Sequence, residues 1–177
     1  PGVFLAGQAG PGVTNTVTAM ANAKAAFSPV VSLAGAISSD HKGKDAFQEV
    51  DQVSMMQAVS KKVFEVQQIN EIPEVLSDVF STAMSPRTGP VHVDLPRDVL
   101  GKNAEFTKPN KYQTSPLPNA LDTSLKQAFE LLRDATKPVI LAGGGIKNNG
   151  DEATKHLLAL AEIVNAPCAT SHQVMVT

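Results

Sequence analysis

The chain has 177 residues, 42% of them hydrophobic and 18% charged, which is ordinary for a globular protein with an apolar core and allows one domain or two small ones. The formal net charge is −2, from 15 basic and 17 acidic residues mixed along the chain, so nothing in the charge points to nucleic acid or an anionic membrane as partner. No apolar run approaches the ~20 residues that span a bilayer, no signal peptide is visible, and the single Cys168 excludes an internal disulfide, so the expectation is a cytoplasmic protein.

In chain order, Val3-Phe4-Leu5-Ala6 has strand character, and an alanine-rich segment over 16–27 reads as a helix. Between them Gly7-Gln8-Ala9-Gly10-Pro11-Gly12 forms a turn whose glycines permit positive φ and close approach, with Pro11 stiffening it and Thr14 or Asn15 available as a cap. Strand, glycine turn and helix is the geometry that leaves N–H groups free to face an anion or cofactor, although the spacing is not G-x-G-x-x-G. The plain alternative is a tight connection with no ligand. Pro29 ends the helix and starts Val30-Val31-Ser32-Leu33-Ala34, a strand buried on both faces. A polar loop follows over 35–44, then a short helix over 51–58 and a strand at Lys61–Val66. Asn70 is placed to cap a helix over 72–84, whose Ile72, Val75, Leu76, Val79, Phe80 and Ala83 recur at helical spacing. Pro90 to Leu95 is another buried strand, ended by Pro96. Repeated βα units predict a parallel sheet with helices on both faces, an α/β Rossmann-like layering.

Residues 101–119 hold three prolines and no apolar period, and read as an interdomain linker between a first domain over 1–100 and a second over 120–177. The second opens with an amphipathic helix (Leu125, Phe129 and Leu132 on one side). A strand over 137–142, a turn at Gly143-Gly144-Gly145, a helix over 151–164 and a strand from Pro167 complete it. Cys168 in that last apolar run is expected to be a buried thiol. No pair of histidines has metal-ligand spacing.

Four stretches carry a resemblance over nearly the whole chain. They are Gly10-Pro11-Gly12-Val13-Thr14-Asn15, Asp45-Ala46-Phe47-Gln48-Glu49-Val50-Asp51, the run from Arg87-Thr88-Gly89-Pro90 to Asp94-Leu95-Pro96-Arg97-Asp98-Val99, and Lys137-Pro138-Val139-Ile140-Leu141-Ala142-Gly143-Gly144-Gly145. In this order and spacing they resemble the thiamine-diphosphate-dependent enzymes of the acetolactate synthase type. The resemblance implies the C-terminal half of a pyrimidine-binding domain followed by the N-terminal half of a middle Rossmann-like domain. The family's catalytic glutamate would lie upstream and its magnesium-binding Gly-Asp-Gly…Asn motif downstream, so a fragment inactive by itself is expected, with the Mg2+ ligands outside this chain.

The chemistry so implied is decarboxylation of a 2-keto acid, the cofactor supplying a thiazolium carbanion that attacks the keto carbon and then acts as electron sink. By resemblance Gly10, Pro11 and Asn15 bind the pyrimidine in a pocket between subunits of a homodimer or homotetramer. Phe47 and Gln48 are the implied catalytic residues at the substrate end, against core packing for Phe47 and a solvated loop amide for Gln48. Arg97, where the synthases have lysine, would attract the substrate carboxylate, against a surface salt bridge. Glu49 and Asp51 look like paired carboxylates, but capping explains them as well. Arg87 and Gly143, Gly144 and Gly145 match positions that contact FAD, while other branches leave this place empty or hold ADP or a CoA ester. Ser171 and Gln173 match a flavin-side strip from which His172, Val174 and Val176 depart. The synthases typically carry Gly-Gln-Val-Pro where this chain has Gly35-Ala36-Ile37-Ser38. That keeps sulfoacetaldehyde acetyltransferase, other carboligases or lyases, and acyl-CoA decarboxylases open beside acetolactate synthase. His41 in this loop is a candidate acid–base group or a solvated side chain. From other classes, a nucleotide-binding module without thiamine chemistry and a non-catalytic regulatory subunit stay in view.

Overall fold

The computed structural model describes residues 2–6, 8–106, 112 and 120–171. The chain divides into two compact units, Pro1–Leu117 and Pro118–Thr177.

In the first unit, strands β1 (Gly2–Ala6), β2 (Val30–Ala36), β3 (Lys62–Glu65) and β4 (Val91–Pro96) form one parallel sheet in the order β1-β2-β4-β3. Leu33 pairs with Leu5 on one side and with Val93 on the other, and Phe64 pairs with Val93 from the far side. Helices α1 (Pro11–Thr14) and α2 (Val17–Ala25) connect β1 to β2, α3 (Gln52–Val59) connects β2 to β3, α4 (Ile72–Met84) connects β3 to β4, and α5 (Arg97–Leu100) follows β4. The chain advances across the sheet through α2 and α3, then steps back through α4. Right-handed crossovers therefore put α2 and α3 on one face and α4 on the other.

The pleat distributes the side chains accordingly. Val31, Val91 and Val93 meet Val79 and Ala83 of α4, with Leu33, Phe64 and Leu95 packed against them. Ala34 faces the opposite way and joins Val13, Met20 and Met56. Burying a valine or methionine side chain contributes roughly 1.5–3 kcal/mol, so these two clusters hold the layers together. β4, which like β2 has neighbours on both sides, is buried at every position but Leu95.

Local signals decide the boundaries. The helix expected to reach Phe27 ends at Ala25, and Phe27 adopts φ 52° before Ser28 and Pro29. Asn70 does not cap α4: a 3₁₀ turn over Ile69–Glu71 precedes the helix, and Gln68 and Glu71 form a reciprocal capping box around it.

In the second unit, β5 (Ile140–Ala142) and β6 (Cys168–Thr170) pair in parallel, accompanied by α6 (Asp122–Arg133), α7 (Gly145–Asn148) and α8 (Gly150–Ile163). Ala142 is the one buried hydrophobic residue among the described residues of this unit, while Leu125, Phe129, Leu141 and Ile163 are exposed. Cys168, expected to be buried, is exposed too, because among the described residues β6 pairs with β5 alone and every residue of β6 is exposed. No helix among the described residues is long and apolar enough to cross a membrane.

Candidate functional site

The loops at the carboxyl ends of β1, β2 and β4 converge, where open parallel sheets place their ligand sites. After β1 the chain turns at Gly10, with φ 62°, and the short helix α1 starts at once on Pro11. Gly7 lies outside the described residues. The N–H of Gly10 does not wait for a ligand: it donates to Gln52 Oε1 at 2.7 Å. Those of Val13 and Thr14 donate to the Gly10 carbonyl. The expectation that this turn leaves its donors free is thus corrected for these three groups. Thr14 and Asn15 are no N-cap either; the Thr14 hydroxyl donates to the Pro11 carbonyl and Asn15 closes α1 at its C-terminal end. Pro11 and Asn15 are exposed.

What requires glycine at position 10 is a second loop. A Cβ there would stand 2.2 Å from the carbonyl oxygen of Gln48. Gln48 has φ 63°, uncommon for a residue with a side chain. Its amide oxygen accepts from Gln8 Nε2 at 2.9 Å. The loop around it is tied by Glu49, whose carboxylate accepts N–H bonds from Gly43 and from Ala46, the latter at 2.9 Å. These bonds hold the Glu49 carboxyl below its ordinary value of 4.5. Asp51 caps α3 by accepting from the Ser54 N–H at 3.0 Å, and the Ser54 side chain together with that N–H lowers its value too. Both carboxylates are engaged in turn and cap.

For Glu49 the sign is that of a group whose folded value is depressed. The stabilisation is present above pH 4.5 and is lost as pH falls through the lower folded value. Acidification below that range is expected to loosen residues 43–49 ahead of the sheet, and Glu49→Gln should loosen them already at neutral pH. Amide exchange of Gly43 and Ala46 across an acid titration measures this.

These loops enclose a cavity of about 470 Å³ lined by Gln8, Ala9, Ala36, Ser38, His41, Phe47, Gln48 and Arg97, among others. The structure therefore brings Phe47, Gln48 and Arg97 to one place. Arg97, the first residue of α5, is delivered there by the end of β4. His41, exposed, pairs with Asp40 at 3.7 Å while its ring lines the cavity. Phe47 is 87% exposed, so core packing does not account for it. Phe47→Ala is accordingly expected to change unfolding free energy by less than about 0.5 kcal/mol in urea titration. A defect in ligand binding would then belong to the site. Arg87 stands elsewhere, at the end of α4, with its guanidinium 4.6 Å from the centre of the Phe27 ring. Gly143, Gly144 and Gly145 belong to the second unit, where they connect β5 to α7.

A buried polar chain lies under the site, and most of it escapes sequence reasoning. Gln52 Nε2 donates to Asp94 Oδ1 at 2.6 Å and to the Gly35 carbonyl at 3.3 Å. The same Asp94 oxygen accepts from His92 Nε2 at 2.9 Å, and His92 Nδ1 meets the Ser32 hydroxyl at 2.9 Å. All four side chains are buried. The one available signal is that Ser32, His92 and Asp94 are polar within otherwise apolar strands. Ser32 pairs with His92 in register, and Asp94 follows two residues on, which places all three on one face. Gln52 has no such signal.

Comparison with known proteins gives the family. Residues 1–55 match the model described as thiamine pyrophosphate enzyme, N-terminal TPP binding domain, and residues 125–175 match the model for the central domain of the same enzymes. The chain belongs to the thiamine pyrophosphate enzymes. Among its relatives, the probable acetolactate synthase large subunit of Methanococcus aeolicus is 37% identical over 171 residues, covering 93% of this chain and 28% of the relative. The acetolactate synthase large subunit of Corynebacterium glutamicum is 37% identical over 175 residues (96% of this chain, 27% of the relative). Isozyme 1 of that subunit in Escherichia coli K12 is 36% identical over 159 residues (89% and 28%). The chain thus spans just over a quarter of the length of these relatives. Within this thiamine pyrophosphate enzyme chain the turn at Gly10 and the cavity beside Phe47 and Gln48 lie in or next to the stretch matched as the TPP binding domain.

Proposed function

We propose that this chain contributes the pyrimidine-side substrate pocket of a thiamine-diphosphate-dependent acetolactate synthase, which decarboxylates pyruvate and transfers the two-carbon unit to a second 2-keto acid. The observation that carries the reading is the gathering of Phe47, Gln48 and Arg97 around one cavity at the carboxyl edge of the sheet. Among the described residues that line it there is no aspartate or glutamate, which suits an anionic substrate. The relatives' names supply the reaction.

Thiamine diphosphate, when bound, supplies an electron sink for the carbon left by decarboxylation. The turn at Gly10, Pro11 and Asn15 would hold its pyrimidine side, and the open, braced loop pair fits that use. This chain's own residues do the rest by position. Arg97 pairs with a substrate carboxylate, the Gln48 amide donates to a carbonyl or carboxylate oxygen, and the exposed Phe47 ring displaces water from the mouth. Mg2+ would be held by residues outside this chain. A second subunit completes the pocket in this reading, and the protein works in the cytoplasm as a homodimer or homotetramer. The domain division at 1–100, 101–119 and 120–177 is part of the same proposal, as are FAD or another nucleotide at the Gly143–Gly145 turn and, separately, a flavin contact for Arg87. A Cβ at Gly143 or Gly145 would meet nothing within 4 Å, so packing among the described residues does not require glycine there.

A second reading within the family has an observation of its own. Ala36 and Ser38, where this chain departs from Gly-Gln-Val-Pro, both line the cavity. The departure therefore falls on the wall that a substrate would touch and favours another substrate, sulfoacetaldehyde among them. The test is to extend the reading frame in the source DNA on both sides, express the whole frame, and follow pyruvate consumption with and without FAD and with sulfoacetaldehyde as competitor. An upstream glutamate, a downstream Gly-Asp-Gly…Asn and pyruvate turnover establish the synthase; sulfoacetaldehyde-dependent turnover establishes the alternative. Arg97→Ala in the active enzyme is expected to raise KM for the anionic substrate roughly 10–100-fold with a smaller change in kcat, the loss of one charge-assisted contact. An unchanged KM would remove Arg97 from the site.

A further inference from the structure

We infer that Gln52 is a positioning residue for the candidate site, fixing the backbone of Gln48 through the glycine turn rather than touching a ligand itself. Gln52 is the first residue of α3 and only 4% exposed. Its three side-chain hydrogen bonds each go to a different segment at the site. The amide oxygen takes the Gly10 N–H at 2.7 Å, beyond β1. One amide hydrogen reaches the Gly35 carbonyl at 3.3 Å, near the end of β2, and the other the Asp94 carboxylate at 2.6 Å, on β4. A single side chain therefore ties the turn after β1 to the C-terminal halves of β2 and β4, three strands whose ends frame the cavity.

The second step runs from Gly10 to Gln48. The α-carbon of Gly10 lies so close to the Gln48 carbonyl that even a methyl group would not fit, and Gln48 is held at φ 63° against it. A shift of Gly10 is thus a shift of Gln48. Gln8 completes the arrangement by donating to the Gln48 amide oxygen, which leaves the Gln48 amide hydrogens as the groups available to a ligand. The clamp itself follows from this geometry; its consequence for substrate rests on the synthase reading given above.

The experiment compares Gln52→Met and Gln52→Glu with the wild-type chain by amide hydrogen exchange. Methionine keeps the volume and loses every polar contact. Glutamate keeps an oxygen for the Gly10 N–H and, buried beside Asp94, takes up a proton that replaces the lost donor. In Gln52→Met the amides of Gly10 and of 46–49 should exchange about tenfold faster or more, while those of α4 on the opposite face change by less than about twofold. In Gln52→Glu the Gly10 amide should stay within about threefold of wild type. Unchanged protection of Gly10 in Gln52→Met would overturn the inference. So would an equal acceleration in α4, or a Gln52→Glu variant as fast at Gly10 as Gln52→Met. If Gln52→Met does not fold, Gln52→Glu alone decides, since a deprotected Gly10 there leaves no clamp. Exchange is read without cofactor or keto acid. A failure here leaves the proposed reaction standing, and an inactive whole enzyme leaves the clamp standing.

Discussion

Gly10→Ala is expected to destabilise the first unit by about 3 kcal/mol and to dismantle the candidate site with it. Two costs add. A residue with a Cβ at φ 62° and ψ −103° is held in a conformation open essentially to glycine, at roughly 1–3 kcal/mol. The new methyl also meets the Gln48 carbonyl at 2.2 Å, a contact with backbone that rotation of a side chain cannot relieve. Gly43 provides the control: it has φ 75°, but a Cβ there meets nothing within 4 Å, so Gly43→Ala should cost only the backbone part, about 1 kcal/mol. Urea midpoints for the two variants separate the terms. Equal losses would mean that the Gly10–Gln48 contact relaxes freely and does not fix the loop.

The alternation of strands and helices was legible because proline and glycine punctuate continuous apolar runs. Pro29 precedes β2, Pro90 precedes β4, and the six apolar positions expected on α4 are all buried or half-buried. What periodicity does not carry is lateral order. That β4 inserts between β2 and β3, sending α4 to the face opposite α2 and α3, depends on contacts between distant segments. The misplaced cap at Asn70 has a local cause: a reciprocal Gln68–Glu71 box serves a 3₁₀ turn before the helix begins. Cys168 looked like core because its neighbours are apolar, yet an apolar run is buried only where another layer covers it.

The site was legible in part for the same reason. Phe47, Gln48 and Arg97 were named from motifs, and they line one cavity because the strand ends deliver them there. The state of the glycine turn was not legible. Whether an N–H at a turn is free depends on what stands opposite it, and Gln52 is forty-two residues away along the chain. Glu49 and Asp51 were ambiguous in sequence between chemistry and capping, and their hydrogen bonds to Gly43, Ala46 and Ser54 decide for turn and cap.

Asp94→Ala should be the costliest substitution in the buried chain, about 3–4 kcal/mol, because it deletes an acceptor and leaves its donors in place. One oxygen of Asp94 receives both Gln52 Nε2 and His92 Nε2 in a region with almost no solvent access. Without it, His92 keeps the Ser32 hydroxyl and Gln52 keeps the longer bond to Gly35, so one buried donor on each is orphaned, at roughly 1–3 kcal/mol apiece. The comparison that isolates this cause is the triple variant Ser32→Ala, His92→Val and Asp94→Ala, since His92→Val without Ser32→Ala would orphan the buried Ser32 hydroxyl. It removes the His92 orphan together with both of its partners. If unsatisfied donors set the cost, the triple variant loses less stability in urea than Asp94→Ala alone. If the cavity left by the carboxylate sets it, the triple variant loses more, since it removes the imidazole and hydroxyl volume as well. Asp94→Asn, which keeps an acceptor oxygen, should lie within about 1–2 kcal/mol of wild type only when that oxygen takes the place of Oδ1 and receives both Gln52 and His92, because an amide nitrogen there would set donor against donor.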